Sequence, residues 1–265
     1  MSRTILFIAT LLALVTPCAI HAQSTEADLK VRLEKKPLYL RGFWRDGKLK
    51  FDSTGQLIGT SQPNSFTLSG IEIRSVKLKP DRLVLAGDRI GLKFEKDVPK
   101  RVKLDEKVQI EIVVPQDKNY TSALDRILAE NLNDLVPDLP SYWQGYAREH
   151  ILHLPPLPKP AASMPIPEDK ANRIGGGVKA PIPTSMPDPA FSSAARAAKL
   201  SGTVLVYLWV DRQGKPTHLA ILRPLGLGLD EQALGAVSAY SFRPATNNGE
   251  PVTVEMNIEV NFQIF

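Results

Sequence analysis

The chain closes on an unbroken alternation of apolar and polar residues, Val252-Thr-Val-Glu-Met-Asn-Ile-Glu-Val-Asn-Phe-Gln-Ile264. Alternation with a period of two predicts a β-strand with one buried face and one solvated face. The apolar residues that should pack on a core are Val252, Val254, Met256, Ile258, Val260 and Phe262. The polar residues that should face water are Thr253, Glu255, Asn257, Glu259 and Asn261.

Three further segments precede this strand. The run Thr203-Val-Leu-Val-Tyr-Leu-Trp-Val210 is rich in β-branched and aromatic residues, and a turn at 211–214 separates it from a second short strand at 217–222. Residues 230–240 have helical periodicity, with two acidic residues in the first turn, where negative charge suits the helix dipole. The order predicts a β-β-α-β unit, an antiparallel three-stranded sheet with a helix across one face.

Four short motifs in this region resemble the C-terminal domain of TonB-type energy transducers. They are Gly202-Thr-Val, Val210-Asp-x-x-Gly214, Leu225-Gly-x-Gly-Leu-Asp-x-x-Ala233 and Phe242-Arg-Pro-Ala245. The resemblance covers about residues 185–265. It implies a structural role for Gly202, Asp211, Gly214, Gly226, Leu229, Asp230, Phe242 and Pro244.

The resemblance also implies a function and partners. A TonB-type protein would couple an ExbB–ExbD-like inner-membrane motor to an outer-membrane transporter, whose short peptide the C-terminal domain binds. The family's membrane anchor carries a Ser-x-x-x-His pair, whereas here Pro17 stands four residues before His21. We therefore keep a second hypothesis, a soluble periplasmic binding or scaffold protein that uses the same domain without energy transduction.

The terminal strand is the predicted partner-binding site. A last strand often lies at the edge of its sheet, where unpaired N–H and C=O groups can take on an extended peptide as an extra strand. The predicted binding residues are Val252, Thr253, Val254, Glu255, Met256, Asn257, Ile258, Glu259 and Val260. The alternative is a guarded edge, because charges such as Glu255 and Glu259 discourage strand pairing.

A second surface of interest is the aromatic side of the first strand. Leu205, Tyr207 and Trp209 share one side of it, and a sheet covered by a single helix would leave that side partly exposed. Exposed apolar patches usually mark contacts, here a homodimer or another partner. The opening helix, Phe191 to Leu200, could cover this side instead.

Composition limits the class of protein. At 265 residues the chain has room for one or two domains, and 43% hydrophobic with 23% charged residues is a composition that builds cores. The net charge is +5, without a dense lysine or arginine run. A nucleic-acid-binding protein would carry a clustered basic patch, so we exclude that class.

The N-terminus resembles an export signal. Arg3 precedes a short apolar core, Ile5 to Val15, and small residues lead to a cleavage site after Ala22. Residues 1–22 are therefore predicted to be a signal peptide that directs the protein to the periplasm. An uncleaved inner-membrane anchor over 4–20 is the alternative. Cleavage would remove the single cysteine, Cys18, and exclude disulfides from the exported chain.

Residues 23–153 predict a mainly-β domain of unrecognised family. Short apolar runs are separated by turn signals such as Asp46-Gly47 and Lys79-Pro-Asp-Arg82, which favours an antiparallel meander, with a bulge near Gly70. Two helices are expected after it, over 121–136 and 142–152. The function of this region does not follow from its sequence.

A proline-rich segment separates the two predicted domains. Residues 154–187 contain nine prolines and Gly175-Gly-Gly177, a composition typical of an extended linker with a flexible joint. The complete prediction is an α+β chain in which this linker joins the mainly-β N-terminal domain to a TonB-like domain at 188–265.

No motif in the sequence supports an enzyme. His150 and His153 are spaced to share a metal on a helix, but zinc sites need three or four protein ligands. The triple glycine lacks the Lys-Ser/Thr of a phosphate loop, and His218 has no evident partner. We therefore expect no catalytic residue, metal or cofactor.

Overall fold

The computed structural model describes residues 23–156 and 171–264. The predicted signal peptide and residues 157–170 of the predicted linker lie outside this range. The described chain is a mixed α+β protein with a β-rich N-terminal region, 23–156, and a C-terminal region, 171–264, as the sequence predicted. None of the helices in these two ranges has the length and apolarity that a bilayer crossing requires.

The N-terminal region is built on one six-stranded sheet with the strand order β2-β5-β4-β3-β1-β6. Its strands are β1 Leu38–Leu40, β2 Lys48–Phe51, β3 Gly70–Leu78, β4 Arg82–Glu95, β5 Val98–Val113 and β6 Leu128–Ala129. Its helices are α1 Glu26–Leu33, α2 Thr121–Ile127, α3 Leu132–Leu135 and α4 Ser141–Tyr146, the last continuing as a π-helical turn Ala147–Ile151. Helices α1 and α2 cover one face of the sheet and close a first core with its buried leucine, isoleucine and valine side chains.

Three expectations for this region need correction. The Asp46-Gly47 turn does not join a hairpin, because β2 pairs in parallel with the distant β5. The register shift in β3 lies between Ile73 and Ser75 rather than at Gly70. The helix predicted over 121–136 is interrupted because β6 pairs with β1, a long-range contact that the leucine spacing does not reveal.

The C-terminal region contains the predicted β-β-α-β unit. Its strands are β7 Asn172–Arg173, β8 Val178–Lys179, β9 Ile182–Ser185, β10 Gly202–Val210, β11 Pro216–Arg223, β12 Ser241–Arg243, β13 Ala245–Asn247, β14 Glu250–Val252 and β15 Val254–Phe262. Its helices are α5 Ser193–Ala197 and α6 Leu229–Ser238. The main sheet has the order β11-β10-β15-β7, and the shorter strands form two small sheets, β12-β9 and β14-β13-β8.

The terminal strand predicted at 252–264 divides at Thr253, which is buried rather than solvated. Val252 belongs to β14, which forms a hairpin with β13 across Asn248-Gly249. Both turn residues have positive φ, 50° and 92°, and Asn-Gly is a strong sequence signal for such a turn. The uninterrupted alternation over 252–264 gives no sign of the break between β14 and β15.

The second half of the predicted linker is part of the C-terminal sheets. Strand β7 pairs with β15, β8 with β13 and β9 with β12, so residues 172–185 are held by main-chain pairing. The triple glycine forms a tight turn in which the N–H groups of Gly175 and Val178 donate to each other's carbonyl oxygens. It is thus a defined turn between β7 and β8.

The two regions share a hydrophobic core, which the prediction of two domains on a linker did not anticipate. The far half of the β4–β5 hairpin contributes Leu92, Phe94 and Leu104, and α4 contributes Trp143. These side chains pack in one cluster with the apolar residues of β10, β11, α6 and β15. The indole of Trp143 is fully buried against the rings of Phe66, Phe94 and Tyr146.

A main-chain bridge fixes the loop between β11 and α6 to this hairpin. Phe94 N–H donates to Leu225 O at 3.0 Å, and Leu227 N–H donates to Leu92 O at 2.7 Å. Between these two bonds Gly226 has a φ of +96°, and a Cβ at this position would lie 2.2 Å from Leu92 O. Only glycine satisfies both the backbone conformation and the close approach.

We predict that Gly226→Ala lowers the free energy of unfolding of the whole chain by about 2–4 kcal/mol, because the added methyl strains the loop and separates it from the hairpin. The matched control is Gly235→Ala in α6, where a Cβ meets nothing within 4 Å. This control should gain about 0.5–1 kcal/mol from helix propensity. Urea denaturation of both variants measures the difference, and equal stabilities would contradict the bridge.

Candidate partner-binding edge

Strand β15 is paired along one side only for most of its length. It pairs antiparallel with β10 from Val254↔Val210 to Phe262↔Gly202 without a break in register. On its other side β7 pairs in parallel, and only with Val254 and Glu255. In the described part of the chain no strand pairs with this side from Met256 to Phe262, and we call this segment the open edge.

The orientation of the backbone follows from one hydrogen bond. Asn172 N–H donates to Thr253 O at 2.8 Å, so the carbonyl of Thr253 points away from β10. Successive residues of a strand direct their N–H and C=O groups to opposite sides. The main-chain groups of Asn257, Glu259 and Asn261 therefore point outward along the open edge, and those of the intervening residues point to β10.

The side chains of β15 follow the predicted alternation, with two differences. Val254, Val260 and Phe262 are buried on the side of α6, but Met256 and Ile258 are only half-buried. The polar residues Asn257, Glu259 and Asn261 are exposed on the opposite face. Half-buried apolar groups next to an unpaired backbone are the surface that an added strand would cover.

The two charges expected to guard this edge are engaged elsewhere. Glu259 reaches across β10 to Arg223 on β11, with 3.0 Å between Oε1 and Nη2. Glu255 accepts a hydrogen bond from Tyr207 Oη at 2.8 Å and contacts Arg173 Nε at 3.3 Å. The partner of Glu259 lies on the face of the sheet rather than at its edge, and so does Tyr207, one of the two partners of Glu255. This weakens the guarded-edge alternative.

The aromatic side of β10 lies on the outer face of the sheet, away from α6. Trp209 stacks on His218 with ring centroids 4.1 Å apart, and its Nε1–H donates to Tyr207 Oη at 2.6 Å. Helix α5 packs on the other face, where Phe191 contacts Phe262, so it does not cover this side. Leu205, Tyr207 and Trp209 remain half-buried.

Comparisons with known proteins find similarity between this chain and one family. Residues 187–264 match the family described as Gram-negative bacterial TonB protein C-terminal. We call residues 187–264 the TonB domain, after the family that they match. The TonB protein of Vibrio cholerae serotype O1 is 31% identical over 77 residues, which are 29% of this chain and 32% of that protein. The chain thus matches about a third of that relative's length.

A solved structure also matches part of this chain. The solution NMR structure of the Pseudomonas aeruginosa TonB C-terminal domain is 20% identical, with a TM-score of 0.28. The match covers 34% of this chain and 89% of that one.

The motif residues of the TonB domain lie at turns and in the core rather than on the open edge. The hairpin turn after β10 is closed by Asp211, whose Oδ1 accepts from Gln213 and Lys215 N–H, and by Gly214 at φ +78°. Gly214 O accepts from Phe242 N–H at 2.9 Å, so two motifs meet there. Gly202 begins β10, Leu229 and Phe242 are buried in the shared core, and Pro244 is half-buried between β12 and β13.

The side chain of Asp230 bonds to the loop between β11 and α6. Its fully buried carboxylate accepts from Leu225 N–H at 2.8 Å and from Gly226 N–H at 3.0 Å. The adjacent Glu231 accepts from Trp143 Nε1–H at 3.0 Å, a contact that joins the two regions. Burial, with the neighbouring Glu231 charge as a second cause, raises the pKa of Asp230 to about 8, and burial also raises the pKa of Glu231.

Two features near the TonB domain have no signal in the local sequence: its contacts with the N-terminal region and the pairing of β7 with β15. The helical spacing of 142–152 gives no sign of the contact that Trp143 makes with Glu231, and the proline-rich composition around Asn172-Arg173 gives no sign of a strand. His150, considered as a metal ligand, stacks on Tyr146 at 4.5 Å. Within the described ranges no three histidine, aspartate or glutamate side chains converge as a ligand set.

We predict that the chain becomes less stable as the pH rises from about 5 to about 8. In this window an unfolded chain has ionised Asp230 and Glu231, whereas the folded chain retains a proton on the pair, so folding binds protons. The slope is up to about 1.4 kcal/mol per pH unit for each proton retained. Glu231→Gln keeps an acceptor for Trp143 and should flatten this slope.

Urea denaturation of the wild type and Glu231→Gln at pH 5 and at pH 8 checks the prediction. A wild type that is equally stable at both values would show that this pair is ionised in the folded protein. An unchanged slope in Glu231→Gln would show that Glu231 takes no part and that Asp230 alone retains the proton.

Proposed function

We propose that this chain is a TonB-type envelope protein whose C-terminal domain binds an extended peptide of an outer-membrane transporter along the open edge of β15. Binding would link the transporter to energy-coupled transport across the outer membrane. The observation that carries the proposal is the unpaired backbone of Met256–Phe262 within a domain of the TonB family.

The open edge has the properties that strand addition requires. Its seven residues exceed the mean strand length of about 5–6 residues, so a peptide can form several main-chain hydrogen bonds. Met256 and Ile258 offer apolar surface on one face, and Asn257 and Asn261 offer amides on the other. The backbone would supply affinity and the alternating side chains specificity.

A second candidate function is supported by the shared core. The hairpin β4–β5 and Trp143 pack with the TonB domain in one core and bond to it, which favours a single body. Such a body suits a periplasmic scaffold without motor coupling, and Pro17 at the serine position of the family's anchor supports the same reading. The mature N-terminus distinguishes the two, since a chain cleaved after Ala22 would lack an anchor for an ExbB–ExbD-like motor.

We predict that Asn257→Pro weakens peptide binding by about tenfold or more. Proline removes an outward N–H and places its ring where a partner carbonyl would lie, but it leaves the bonds to β10 intact. Asn257→Ala keeps the N–H and is the matched control. Fluorescence anisotropy with synthetic peptides that tile the periplasm-facing segments of the cell's outer-membrane transporters gives both affinities.

Both variants should retain the wild-type urea midpoint, because Asn257 donates nothing to β10 in this geometry. If folded Asn257→Pro binds these peptides as tightly as Asn257→Ala does, the partner contacts another surface.

A further inference from the structure

The open edge already carries a short strand of its own chain at one end. Strand β7 consists of Asn172 and Arg173, both exposed, and runs parallel to β15. The backbone N–H and the side-chain Nδ2 of Asn172 both donate to Thr253 O, at 2.8 and 3.1 Å. This edge therefore accepts an extended segment in the way proposed for the partner.

The pairing of β7 stops abruptly after Glu255. Gly175, Gly176 and Gly177 all have positive φ, between 59° and 112°, and they turn the chain away from β15 towards β13. The next residue along the edge, Met256, consequently has no neighbour from this segment. Without the turn, the same segment could continue along the edge and cover it.

The contacts of β7 are few and weak. The ion pair between Arg173 and Glu255 is 3.3 Å long, and the arginine side chain is 78% exposed. Exposed ion pairs contribute little to stability, and a two-residue strand adds few main-chain bonds. A longer strand that pairs with the whole edge would gain more bonds than β7 loses.

Glu255 gives this end of the edge a charge preference. Its side chain is 26% exposed, Oε2 accepts from Tyr207 Oη, and Oε1 faces Arg173. Removal of β7 would leave this half-buried carboxylate without its cation. An incoming strand would supply a new cation for Glu255 if it places a lysine or arginine side chain next to this carboxylate.

We propose that Asn172–Arg173 is a resident strand that a partner peptide displaces, and that this peptide brings a cationic side chain to Glu255. The proposal rests on the proposed function, since it concerns the same edge. If the peptide displaces β7, its affinity should fall as the pairing of β7 with β15 becomes more stable.

A reversible covalent lock tests the displacement. Arg173 and Glu255 are direct partners in adjacent strands, and such neighbours lie within the span of a disulfide. The double variant Arg173→Cys/Glu255→Cys is made in the full chain with Cys18→Ser, which removes the native thiol. Comparing the oxidised and reduced forms of one protein cancels the loss of Glu255 itself.

The probe is the transporter peptide set used above, in fluorescence anisotropy. We expect the oxidised form to bind at least about fivefold more weakly than the reduced form, with recovery on addition of reductant. As a second variant, Asn172→Pro loses the N–H that bonds to Thr253 O and should bind more tightly than Asn172→Ala. Equal binding by the oxidised and reduced forms would overturn displacement and leave edge pairing standing. If wild-type protein binds none of the peptides, the proposed function itself fails.

A separate affinity measurement tests whether Glu255 prefers a cationic peptide. Glu255→Gln should lower affinity for peptides with a lysine or arginine and leave neutral analogues unaffected. Equal effects on both kinds of peptide would exclude the cation at this position.

Discussion

Two main-chain hydrogen bonds, from Phe94 to Leu225 and from Leu227 to Leu92, connect the two halves of this protein. Backbone groups that are buried without partners are costly, and the loop between β11 and α6 obtains its partners from both regions of the chain. Within the TonB domain, Asp230 accepts hydrogen bonds from two amides of this loop. In the N-terminal region, the β4–β5 hairpin and Thr67 bond to other backbone groups of the loop. The loop cannot leave the hairpin without exposing a core that contains Trp143.

This attachment determines which surfaces of the TonB domain are available. The N-terminal region occupies the side with the loop, where Glu231 bonds to Trp143. The edge of β15 and the outer face with Trp209 and His218 lie elsewhere and keep their exposure. A rigid support beside an open edge favours binding, because less conformational freedom is lost when a strand is added.

The sequence was most informative where periodicity and local motifs coincide. Period-two alternation predicted β15, a run of β-branched and aromatic residues predicted β10, and helical periodicity predicted α6. The glycine motifs indicated the family that residues 187–264 match. Pairing between distant segments was not predictable in this way, because β2 with β5 or β7 with β15 leaves no local signal in either segment. Leu225-Gly-x-Gly resembles a family motif, yet its contact with Leu92 depends on a region outside the family match. The Asn248-Gly249 turn was a local signal that could have revealed β13 and β14.

Residue-resolved amide hydrogen exchange by NMR, with and without a bound transporter peptide, tests the account most directly. The account predicts that the amides of Asn257, Glu259 and Asn261 exchange quickly in the unbound protein and slowly in the complex. Those of Met256, Ile258 and Val260, which face β10, should be slow in both. If the peptide protects other amides and leaves the three outward amides of β15 unchanged, the open edge is not the binding site.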